Sequence, residues 1–91
     1  MTVEIRRTLK LFSWARAQHR LRSLGKPAGF ADASELIAAE TGICVTKVSA
    51  VLAGVNSSAD TQEKIAAWNG LVRATRHGEP VLIVDFRGGA Q

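Results

Sequence analysis

Three features of this 91-residue sequence predict a mainly α-helical fold with one β-strand near its C-terminal end. Apolar residues recur at three- and four-residue spacing through most of the chain, the interval that lines one face of a helix. Glycines stand where those rhythms stop, at Gly42, Gly54 and Gly78. Only residues 81–86, VLIVDF, are short, continuous and β-branched, as a strand is. With 46% hydrophobic residues the chain can form one modest core, so a single domain over residues 1–91 is expected.

The first element, over residues 1–26, reads as a long basic helix that ends at Gly25 and Pro27. Residues 1–30 hold seven Lys or Arg against Glu4 alone, a net +6, whereas residues 31–91 hold five against seven acids, a net −2. Attraction to a polyanion therefore resides in this segment, and Arg16, Arg20 and Arg22 are candidate phosphate contacts. The alternative is a solvated basic face. Ile5, Leu9 and Phe12 form one apolar line and Trp14, Ala17, Leu21 and Leu24 another, so the helix is expected to be covered on two sides. Thr2 to Arg6 also alternate, and a short strand there is the other option.

Residues 32–54 read as two short helices around a tight turn. Asp32 and Glu35 have capping-box spacing ahead of Leu36 and Ile37, and Gly42 can close the first helix in a left-handed conformation. Cys44 or Thr46 opens the second, in which Val48, Val51 and Leu52 share a face with Ile43 in the turn. Ala38, four residues before Gly42, is small where two steeply crossing helices need room. This pattern is that of a helix-turn-helix; an ordinary αα-hairpin is the plainer reading.

A third helix is expected from Asp60, where Asp60 and Glu63 repeat the capping-box spacing, to His77. Ile65, Trp68 and Val72 share a face, Asn69-Gly70 is a weak point, and Arg73, Arg76 and His77 load the last turn. The core would then span residues 32–77. Trp68 is placed as a core anchor against Leu36 and Leu52, with nucleotide stacking the alternative. The strand at residues 80–87 has no evident partner in its own chain. Pairing with the N-terminal residues or with a second copy is expected, making Val81, Leu82, Ile83, Val84 and Phe86 a candidate homodimer interface.

The run IAAETGICVTKVSAVLAG resembles the helix-turn-helix of the lactose-repressor family, through Ala38, Gly42, Ile43, Val48, Ser49, Val51, Leu52 and Gly54. DTQEKIAAW, ending at Trp68, is similar to that family's third helix with a loop one residue shorter; the likeness is to the head-piece alone. Phage-type and Cro-like repressors share the pattern. The resemblance implies that base-reading side chains come from Val45, Thr46 and Ala50, with Lys47, Ser49 and the phosphate contact Asn56 beside them. None of the reading positions carries a long donor, so bidentate base contacts worth about 1–3 kcal/mol each are missing. The resemblance supports a docking geometry more than a high specificity.

These features imply a homodimeric DNA-binding transcriptional regulator, a repressor or autoregulator of phage or plasmid type, with double-stranded DNA as partner and promoter occlusion as mechanism. A helical protein-interaction module, antitoxin-like or a phage-encoded inhibitor, is the alternative; sequence-independent DNA packaging is a third. No catalytic constellation, phosphate loop or cofactor motif is visible, so neither enzymatic activity nor a cofactor is expected. Cys44, His19 and His77 lack ligand spacing, and no metal is expected. No apolar run reaches membrane-spanning length, no secretion signal is evident, and Cys44 is the only cysteine, which together point to the cytoplasm.

Overall fold

The computed structural model describes residues 3–85 and contains four helices and a β-hairpin: α1 (Val3–Ser23), α2 (Phe30–Thr41), α3 (Val45–Leu52), α4 (Ala59–Trp68), β1 (Leu71–Arg76) and β2 (Glu79–Val84). Among the described residues no helix is long and apolar enough to cross a membrane. The mainly helical class agrees with the sequence reading. The single expected strand does not, because it is half of a two-stranded sheet.

α1 is the element on which the others assemble, packing against α2, α3, α4 and β2. Its buried residues are Ile5, Leu9, Ser13, Ala17 and Leu21, one every fourth position. Each step of four advances about 40° around the axis, so the stripe winds and meets different elements along its length. The expectation of two separate apolar lines is corrected here. Phe12 and Leu24 are 46% and 58% exposed, and the central buried position is a serine. Ser13 sits there without penalty because its hydroxyl accepts a hydrogen bond from Asn69 Nδ2 at 3.0 Å, joining mid-α1 to the end of α4. The first residues of the described chain are helical, not a strand.

α2 begins three residues earlier than the spacing of Asp32 and Glu35 suggests. Gly29 is the cap, and Asp32, in the first turn, reaches back so that its Oδ2 accepts the Gly29 N–H at 3.1 Å. The helix ends at Gly42, whose φ of 76° is left-handed and whose N–H donates to Ala38 O at 2.9 Å. Thr41 closes the turn by donating to Ile37 O and accepting from the Ile43 N–H. α3 follows after three residues. Ile37, Val48, Leu52 and Ile65 are fully buried where α2, α3 and α4 meet, each side chain contributing about 1.5–3 kcal/mol.

The third helix is shorter than expected at its C-terminal end, and its cap is Ser58 instead of Asp60. The Ser58 hydroxyl accepts the Thr61 N–H at 3.2 Å, and α4 stops at Trp68 with Asn69 as its C-cap. Residues 71–76 are not its last turns but β1, antiparallel to β2 with Leu71 opposite Val84 and Arg76 opposite Glu79. His77 and Gly78 form the two-residue turn, both with positive φ (51° and 80°), as the twist of a tight hairpin requires. Of the strand expected at residues 80–87, the part in β2 therefore has its partner in its own chain, which removes the reason for pairing it with a second copy. Val81 is buried within the chain, Leu82 is half-buried against the core, and Ile83 and Val84 are 43% and 51% exposed. Phe86 lies outside the described residues.

Candidate nucleic-acid interface

α3 buries Val48, Val51 and Leu52 and presents Val45, Thr46 and Lys47 to solvent, with its C-cap Ala53 also exposed. Its outer face adjoins the loop into α4. Thr46, Lys47, Ala50, Asn56, Ser57, Ser58 and Thr61 line one open groove of about 250 Å³. The first turns of both α3 and α4 border it, so backbone dipoles and the Lys47 ammonium all favour negative charge nearby. Of the residues nominated from sequence, Thr46, Lys47, Ala50 and Asn56 are brought together here. Val45 is 42% exposed but does not line the groove.

Ser49 takes a different place. It is half-buried, and its hydroxyl donates to Ser34 Oγ at 3.1 Å, tying α3 to α2 on the inner side of the pair. Cys44, the N-terminal cap of α3, is exposed. Hydrogen bonds from the Thr46 N–H, the Thr46 hydroxyl and the Lys47 N–H hold its thiol below the ordinary cysteine value.

The nominated phosphate contacts divide. Arg20 pairs with Glu40 Oε2 at 2.7 Å, and the Arg16 guanidinium lies over the Trp68 ring, 5.1 Å from its centroid. Trp68 Nε1 in turn donates to Glu40 Oε1 at 2.9 Å. Arg16 and Arg20 are thus part of a seam joining α1, α2 and α4, and Trp68 at its margin is half-buried and packs against the core. Arg22 is exposed and takes no part in this seam. Among the described residues, no three His, Cys, Asp or Glu side chains converge as metal ligands would.

Sequence reasoning missed Ser57, Ser58 and Thr61, which it treated as plain loop and helix. The signal was present: Ser58 and Thr61 have cap and third-position spacing. No protein-family model, no curated protein and no solved structure matches this chain.

Proposed function

We propose that this protein binds double-stranded DNA, with α2 and α3 acting as a helix-turn-helix and the N-terminal half of α3 entering the major groove. The observation that carries this reading is the groove in which Thr46, Lys47, Ala50 and Asn56 converge on the exposed side of α3. The left-handed Gly42 turn and the similarity of residues 37–54 to repressor head-pieces support the same geometry. Thr46 supplies a short hydrogen-bonding group, Ala50 an apolar contact for a thymine methyl, and Lys47 and Asn56 contacts to phosphate. With so few base-edge donors, binding is dominated by the backbone and specificity is modest. Regulation follows by occlusion of a promoter in the cytoplasm, with two copies acting on a palindromic site.

The test is selection of bound sequences from a random duplex pool by the full chain, followed by titration on the selected site and on random duplex. An enriched motif bound severalfold more tightly than random duplex supports the reading. Absence of duplex binding at low salt overturns it.

A second reading, a protein-interaction module, is favoured by one feature. An apolar groove of about 310 Å³, with Ile5, Ala66, Leu71, Val72 and Leu82 among its lining, opens between α1, α4 and the hairpin. A protein acting through that groove binds neither selected nor random duplex.

A further inference from the structure

The far end of α3 carries a cluster of cations that the nominated contacts do not include. Arg6, Arg7 and Lys10 of α1 line an open groove of about 240 Å³ together with Ala53 and Gly54, the residues that end α3. Lys10 lies close across this end, since a Cβ on Gly54 would sit 3.3 Å from Lys10 Cδ. A Cβ at Gly54 would require Lys10 to give by a few tenths of an ångström.

Nothing within the described chain neutralises these three charges. None of them makes an ion pair or a side-chain hydrogen bond among the described residues, and Glu4, the one acid on α1, pairs with none of them. Arg6 Nε is buried with no hydrogen-bond partner. The last carbonyls of α3 do not need them either. Ser49 O accepts from the Ala53 N–H, Ala50 O from the Val55 N–H and Val51 O from the Gly54 N–H, while Leu52 O accepts from Trp14 Nε1. Arg6 and Lys10 stand four apart on one helix face, where like charges oppose helix formation, and they lie toward the end of α1 at which cations are disfavoured. Among the described residues the cluster has no counter-charge.

We propose that Arg6, Arg7 and Lys10 clamp a backbone phosphate of duplex DNA over the Ala53–Gly54 end of α3, so that α3 enters the groove by its N-terminal turn. The inference rests on the DNA-binding reading and adds the orientation of the helix. Thr46 and Ala53 are seven residues apart, about 10 Å along the axis. The major groove is about 12 Å wide. A helix with its base-facing groups at one end and unneutralised cations at the other spans from the base edges to the phosphate strand that bounds them. Arg16 and Arg20, held at Glu40 and Trp68, lie outside this arrangement.

The test is fluorescence-anisotropy titration of a random 20-base-pair duplex over a salt series, with the full chain and three variants. Arg7→Gln with Lys10→Gln is expected to weaken binding roughly tenfold near 0.1 M salt and to reduce the salt slope by about 0.9, as loss of the one clamped phosphate requires. Arg7→Lys should keep the slope, and Arg22→Gln should change it little. A double variant that melts like the wild type and keeps its slope while the wild type binds overturns the clamp and leaves the DNA reading standing. A wild type that binds no duplex overturns both. Binding to phosphatidylserine vesicles without duplex binding also overturns the clamp and assigns the cations to a lipid surface.

Discussion

Arg20 and Glu40 tie α1 to α2: Arg20 Nε and Nη2 both lie 2.7 Å from Glu40 Oε2, and the carboxylate's other oxygen accepts Trp68 Nε1–H. Burial alone raises the Glu40 pKa, but the hydrogen bonds from Trp68 and Arg20 and the charges of Arg20 and Arg16 outweigh it and hold the group below the ordinary carboxylate value. A depressed folded-state pKa means that the stabilisation is present above the unfolded-state value. It disappears as pH falls through the folded-state value. Glu40→Gln should therefore be less stable than wild type at pH 7, by about 1 kcal/mol or less because the pair is partly exposed. Urea melts of the two proteins should converge as the pH falls below the ordinary carboxylate range, and a gap that stays constant with pH would show that the charge is not what matters.

Arg16 and Arg20 should behave as structural cations. Arg20→Gln is expected to lower the melting temperature by a few degrees and to leave the salt slope of duplex binding nearly unchanged. A slope reduced by about 0.9 for either substitution would place that arginine on phosphate and reopen the Glu40 seam as a docking surface.

Thr46 and Ser49 are neighbours in sequence with opposite expectations. Thr46→Ala should weaken binding to a selected site by about 1 kcal/mol, roughly fivefold, while random-duplex binding and thermal stability stay near wild type. Ser49→Ala removes the bond to the buried Ser34 hydroxyl and should cost about 1 kcal/mol of folding stability with little selective effect on DNA. Thermal melts beside paired titrations separate the two.

Removing residues 79–91 should destabilise the fold instead of merely dissociating a dimer. β1 would lose its ladder, and the buried Leu71 would lose Val84 opposite it. The expected outcome is a truncated chain with weakened near-ultraviolet circular dichroism and a lower melting temperature. A truncated chain that melts like the full protein would show that the hairpin contributes little.

Local chemistry in the sequence was enough to determine the helices and several of their ends. Gly42 and Gly54 stop α2 and α3 because a left-handed residue there lets the chain turn back on its own carbonyls, and Val48, Val51 and Leu52 mark the buried side of α3 by spacing alone. The groove residues Thr46, Lys47, Ala50 and Asn56 were nominated through the resemblance to repressor head-pieces, and the fold brings them to one groove. Tertiary structure decided the rest. Ser13 is buried because Asn69 reaches it across the core, a contact between residues 56 apart that no hydrophobic rhythm can reveal. Residues 71–76 have helical spacing with Ile65 and Trp68, yet the turn at His77 and Gly78 lets them pair with residues 79–84, and that ladder outweighs the local pattern. The fate of the cations was equally non-local. Among the described residues Arg20 is neutralised by Glu40 and Arg6, Arg7 and Lys10 are not, because charge depends on what the fold brings within a few ångströms, and the chain's order does not record that distance.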